Sequence, residues 1–160
     1  MKLIVAGVSG SGKSFIGEQL ANKLELPFFD GDDFHPQSNV DKMAQGIPLN
    51  DDDRQGWLED LNALLRKEEK IVLACSSLKL KYRDILRTQC PEVQLVYLQG
   101  DYETILARMN SREGHFFTGD AMLRSQFDAL EEPTKDEAIV VSLAQTPEEI
   151  VSQVCAQLQP

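Results

Sequence analysis

Residues Gly7-Val8-Ser9-Gly10-Ser11-Gly12-Lys13-Ser14 match the phosphate-cradling pattern G-x-x-x-x-G-K-[ST] at every position. Glycines let a backbone wrap closely around phosphate oxygens, and the helix that follows aims its N–H groups and positive end at them. Gly7, Ser9, Gly10, Ser11 and Gly12 are therefore read as the cradle of a nucleoside triphosphate. Lys13 would reach the β- and γ-phosphates, and the Ser14 hydroxyl would ligate Mg²⁺. A glycine-rich turn without a ligand is the alternative reading. The flanking residues disfavour it, because the motif sits between an apolar strand and an amphipathic helix.

A second group follows closely. Asp30-Gly31-Asp32 closes a short apolar run, so both carboxylates are expected at a strand end near the phosphate loop. Asp30 could hold a water on Mg²⁺, while Asp32 accepts a proton from an acceptor hydroxyl. In phosphoryl transfer such a base mainly orients the nucleophile. The plainer reading of these acids is that they cap a turn or a helix.

The elements that must position these groups are legible in the apolar pattern. Strands are predicted at Leu3–Ala6, Pro27–Asp30, Ile71–Cys75, Val93–Leu98 and Ala138–Val141. Helices are predicted at Phe15–Leu24, near Val40–Gln45, and at Asp53–Glu69, Lys79–Arg87, Tyr102–Arg112 and Ala121–Leu130. A last helix opens at Thr146-Pro147-Glu148-Glu149, with Thr as N-cap, Pro first and Glu third. Strands alternating with helices imply an α/β fold: a five-stranded parallel sheet covered by helices on both faces. Ligands bind such sheets at the carboxyl ends of the strands, where Gly7–Ser14, Asp30–Asp33 and Cys75–Lys79 are all expected.

The chain has 160 residues, 42% of them hydrophobic, enough for one domain with a proper core (1–160). A net charge of −10 argues against nucleic-acid or anionic-membrane partners, and it requires a local basic pocket for ATP. Cys75, Cys90 and Cys155 have no metal-type pairing and are read as reduced thiols of a cytoplasmic protein. The apolar run after Lys2 is too short for a secretory signal, and no segment approaches a membrane span.

Larger blocks carry a more specific likeness. Asp30-Gly31-Asp32, His35-Pro36, Asn39, Lys42-Met43, Gly46, Pro48-Leu49-Asn50-Asp51, Asp53-Arg54 and Trp57-Leu58 resemble the gluconate kinase family. So do Cys75-Ser76 with Leu78-Lys79, Tyr82-Arg83-Asp84, Arg112, Gly114-His115-Phe116, and Ser125-Gln126-Phe127 with Leu130-Glu131. The resemblance covers nearly the whole chain. It implies the P-loop kinase fold with a short lid (about 108–124) and an acceptor-binding segment (about 32–58). It further implies transfer of the ATP γ-phosphoryl to the 6-hydroxyl of D-gluconate, and a homodimer. Two positions depart from the family pattern: Gly56 stands where proline is usual, and Ser77 where alanine is usual. Gly56 is expected to loosen a helix start, and Ser77 to add a hydroxyl near the substrate.

The basic residues suit that chemistry on their own account. Gluconate is a polyol with one carboxylate, and Arg54 and Arg83 could clamp a carboxylate bidentately. His35, Lys42 and Lys79 could supplement them or donate to hydroxyls. Arg54 as an exposed ion pair and His35 as a satisfied structural histidine are the alternatives. Trp57, on an apolar helical face, reads as core. Arg108 and Arg112 lie one helical turn apart, placed to close over the phosphates and exclude water. The catalytic set is thus Lys13, Asp32 and Arg112. Two rival functions remain: a related kinase for another aldonic acid or shikimate, and a nucleotide-binding switch.

Overall fold

Five parallel strands lie in the order β2-β3-β1-β4-β5. The computed structural model describes residues 1–110 and 119–159. Strands β1 (Lys2–Ala6), β3 (Ile71–Ala74) and β4 (Val93–Gln99) form the centre of the sheet. Strands β2 (Phe28–Asp30) and β5 (Ala138–Ser142) are its edges. Every residue of β1 and β3 is buried, whichever way its side chain points. That requires cover on both faces of the sheet, and it is why these segments read as continuous apolar runs.

Among the described residues the helices are seven: α1 (Lys13–Leu24), α2 (Gln37–Ala44), α3 (Asp51–Lys67), α4 (Leu80–Leu86), α5 (Tyr102–Asn110), α6 (Gly119–Ala129) and α7 (Pro147–Gln157). Helix α1 packs beside α7, and α3 beside α4. The predicted cap of α7 is present in full: Thr146 and Glu149 exchange side-chain-to-backbone hydrogen bonds, and Pro147 leads the helix.

The elements depart from expectation in several places. A 3₁₀ turn at Gly31–Phe34 was not predicted, since four residues carry no apolar period. Helix α2 starts at Gln37, straight after Pro36, and α3 starts at Asp51. Phe15, expected on the apolar face of α1, is half exposed instead, while Ile16, Leu20 and Ala21 face the core. No helix of the described residues is long and apolar enough to cross a membrane.

Candidate active site

Phosphate recognition begins where β1 turns into α1. Gly10 and Gly12 adopt φ values of +80° and +86°, a left-handed conformation that side chains resist. Gly12 is the N-cap of α1, so the helix starts with the amides of Lys13 and Ser14 lacking carbonyls four residues back. Such a terminus favours an anion. Ser11 is fully buried and its N–H donates to the Val8 carbonyl at 3.2 Å. It shapes the turn rather than offering its hydroxyl at the surface.

Asp30 joins this loop to the next element. One carboxylate oxygen accepts from the Ser14 hydroxyl at 2.8 Å, and the other accepts from the Asp32 N–H at 3.0 Å. The metal-side and capping readings of Asp30 are therefore compatible: one side chain caps the 3₁₀ turn and meets the phosphate loop. A hydroxyl and a carboxylate in contact form a hard, partial oxygen donor set. That suits an ion completing its shell with phosphate and water, as Mg²⁺ does. Among the described residues no larger cluster of metal-ligating side chains exists.

Two depressions meet here. One runs along Gly10, Gly12, Ser14 and Phe15. The other is walled by His35, Met43, Arg54, Trp57, Ser76 and Gln126. Ser9, Lys13 and Asp32 line both. The wall of the second depression is built from three strand ends together with α2, α3 and α6. Ser76, just beyond β3, is tied to the phosphate loop through its carbonyl, which accepts the Gly7 N–H at 3.3 Å. Gly31 can approach β3 closely because it lacks a Cβ, which would lie 2.7 Å from the Ala74 carbonyl. Trp57 is buried, as read from the sequence, yet it also reaches the cavity. Its indole N–H donates to the Gly31 carbonyl at 2.8 Å and locks α3 to the 3₁₀ turn.

His35 stacks on Trp57, with ring centroids 4.0 Å apart. The buried Asn39 amide nitrogen donates to the Asp53 carbonyl at 2.8 Å and lies 3.2 Å from His35 Nδ1. A carbonyl can only accept, so that Asn39 atom is the NH₂ group and His35 Nδ1 is the acceptor. The remaining ring proton is on Nε2, which faces Asp32 at 3.8 Å. Burial lowers the His35 pKa below its ordinary value; Asp32 opposes this and Arg54 adds to it. A neutral histidine whose Nε2–H faces Asp32 from beyond hydrogen-bond distance follows.

Arg54 lines the cavity and is held from behind. Its guanidinium donates to the Tyr82 hydroxyl at 3.0 Å and lies 5.3 Å from the Tyr82 ring centre. Tyr82 in turn donates to Asp51, which also accepts from Lys79 at 3.2 Å and from Lys81. Hydrogen bonds from Lys81 and Tyr82 hold the Asp51 carboxyl well below the usual carboxylate range.

Several expected residues are placed elsewhere. Arg83 does not join Arg54: it is 2% exposed, and its guanidinium pairs with Glu137 at 2.6 Å and donates to the Ser77 carbonyl at 2.9 Å. The two-arginine clamp is thus corrected to one cavity arginine and one buried structural arginine. Lys42 is paired with Asp53 at 2.9 Å and Lys79 with Asp51, and neither lines the cavity. Ser77 turns its hydroxyl back to the Cys75 carbonyl at 3.1 Å and is buried, so it adds no polar group to the cavity. Arg108, at the end of α5, donates to the Leu143 carbonyl. Arg112 and the rest of residues 111–118 of the expected lid lie outside the described residues.

Sequence reasoning assigned no site role to Ser76, Met122, Ser125 or Gln126, although all four line the cavity. Gln126 is 117 positions from its partner Ser9, a pairing no local pattern reveals.

A phosphate loop before α1, with an acidic strand end facing a closed polar cavity, defines a P-loop kinase for a small acceptor. The shikimate kinase family model matches residues 9–159. The chain is 55% identical over 144 residues to the thermosensitive gluconokinase of Escherichia coli K12, covering 88% of this chain and 76% of that one. It is 42% identical over 168 residues to the gluconokinase of Arabidopsis thaliana, covering 95% and 89%. A gluconokinase structure from Sinorhizobium meliloti 1021 superposes with a TM-score of 0.91 at 41% identity, covering 97% and 89%. Shikimate kinase from Aquifex aeolicus, at TM-score 0.60 and 18% identity, shares the fold alone. The chain belongs to the gluconokinase family of P-loop kinases.

Proposed function

We propose that this chain transfers the γ-phosphoryl group of ATP to the 6-hydroxyl of D-gluconate, giving 6-phosphogluconate. The observation that carries the reading is the shared wall of the two depressions: Ser9, Lys13 and Asp32 stand where a nucleotide groove meets an acceptor cavity. High identity to relatives named gluconokinases supports the choice of acceptor.

The roles follow from chemistry. The loop amides and Lys13 hold the β- and γ-phosphates, and Ser14 with Asp30 would hold Mg²⁺, which neutralises charge across the phosphate oxygens when bound. Asp32 orients the acceptor hydroxyl and takes its proton as the new O–P bond forms. His35 presents its Nε2–H to the side of the Asp32 carboxylate from 3.8 Å. Arg54 receives the sugar-acid carboxylate, a match for its planar fork. Residues 32–58 act as the acceptor segment of a single domain spanning 1–160, and Arg108 and Arg112 belong to a lid at about 108–124. A homodimer and a cytoplasmic setting complete the proposal; the buried thiols of Cys75 and Cys90 accord with the latter.

The test is ADP release with ATP, Mg²⁺ and D-gluconate, against a no-acceptor control, shikimate and other aldonic acids. Stimulation by gluconate is expected, and Asp32→Asn should lower kcat roughly 10²–10⁴-fold with ATP binding nearly unchanged. Stimulation by shikimate alone would refute the assigned acceptor. Acceptor-independent hydrolysis would favour a nucleotide switch.

A further inference from the structure

Gln126 projects from α6 to the middle of the phosphate loop and makes two hydrogen bonds to one residue. The Ser9 N–H donates to Gln126 Oε1 at 2.6 Å, and Gln126 Nε2 donates to Ser9 Oγ at 2.9 Å. The orientation of this amide is dictated chemically. A backbone N–H can only donate, so the carbonyl end must face it and the NH₂ end must face the hydroxyl. Ser9 Oγ is thereby occupied as an acceptor. Its own hydrogen is available to donate elsewhere, and Ser9 lines both the nucleotide groove and the acceptor cavity.

We propose that Gln126 is a positioning residue for phosphoryl transfer: it fixes the Ser9 hydroxyl as a donor aimed at the transferring phosphoryl group. In the loose transition state, charge spreads over the three equatorial phosphoryl oxygens, and a pre-oriented neutral donor stabilises it without reorganisation. Gln126 also ties α6, which packs on α5 through the edge-to-face Tyr102–Phe127 pair at 5.6 Å, to the phosphate loop. The helix that follows residues 111–118 is thus fastened to the reacting end of the nucleotide site.

Two substitutions separate this role from simple packing. Gln126→Glu keeps the shape and can accept from both the Ser9 N–H and the Ser9 hydroxyl, so folding is preserved. It forces the hydroxyl to donate to the carboxylate and adds negative charge beside the phosphates. Gln126→Ala removes both contacts. Gluconate-dependent kcat should fall roughly 10²-fold in Gln126→Glu and about tenfold in Gln126→Ala, with gluconate KM within about threefold. In a Ser9→Ala background, Gln126→Ala should cost less than about threefold, because the group it orients is gone. Wild-type kcat in Gln126→Glu, or equal losses from Gln126→Ala in both backgrounds, would overturn the inference. It rests on the kinase reading: an inactive wild type would overturn both, whereas an active wild type with insensitive variants overturns this inference alone.

Discussion

At the scale of residues, the site depends on which cations are already engaged. Arg54 and Arg83 are the same residue type at neighbouring blocks of the sequence, and nothing local distinguishes them. What separates them is a partner far along the chain: Glu137 neutralises Arg83, whereas Tyr82 supports Arg54 from behind with a neutral hydroxyl. A neutral support leaves the guanidinium charge available to an anion. Tyr82→Phe keeps the ring beside Arg54 and removes the Arg54–Tyr82 hydrogen bond, worth about 1 kcal/mol to the guanidinium, along with the Tyr82–Asp51 one. The gluconate KM should therefore rise roughly fivefold, with ATP KM and kcat within twofold. Arg54→Lys loses the planar fork as well and should raise gluconate KM by about 10–100-fold. Steady-state titrations of both substrates decide the matter; a larger change in ATP KM would refute the assignment of Arg54 to the acceptor.

At the scale of elements, α3 carries more of the site than its sequence advertises. The run Asp51-Asp52-Asp53 reads as a solvated helix start, yet Asn50 and Asp53 form a reciprocal capping box. Asp51 gathers Lys79, Lys81 and Tyr82 from the neighbouring α4, and Asp53 pairs with Lys42 from α2. The strands and long helices were legible because burial imposes a period on the sequence. The 3₁₀ turn and these cross-element acid pairs were not, because they depend on which elements become neighbours. Gly56 shows the same limit. It lies inside α3 rather than at its start, and a Cβ there would meet nothing within 4 Å. The cost of glycine in a helix is entropic, so Gly56→Ala should stabilise the fold by about 0.5–1 kcal/mol. Thermal melting should rise about 1–4 °C with kcat unchanged. A stabilised variant with reduced kcat would instead mean that the acceptor segment needs flexibility at this point.

At the scale of the whole molecule, one largely buried ionic group fastens the backbone beside the site wall to the edge of the sheet. Glu137, just before β5, accepts from Arg83 of α4 and from Arg87 at 2.9 Å, while Arg83 holds the Ser77 carbonyl next to the cavity residue Ser76. Burial alone would raise the Glu137 pKa, but the hydrogen bond and charge of Arg83, with Arg87 behind it, bring it below its ordinary value. The sign follows directly. In the unfolded chain this carboxyl titrates near its ordinary value of about 4.3, and in the folded chain it stays ionised to lower pH. Its stabilisation is therefore complete above that ordinary value and is lost as pH falls through the lowered folded value. The net charge changes over the same range, from −10 at pH 7 through zero near pH 4.6 to positive below it, so wild-type melting alone cannot isolate the pair. Glu137→Gln can. Removing one partner of a buried ion pair should cost about 3 kcal/mol at neutral pH, lowering the melting temperature by about 6–12 °C. As pH falls through the lowered folded value the wild type and the variant should converge, because protonation removes the same charge that the substitution does. Parallel melting curves across pH 7 to 3 would show that the Arg83–Glu137 pair does not hold the wall. A variant that melts lower yet keeps its gluconate KM would show that the wall tolerates losing it.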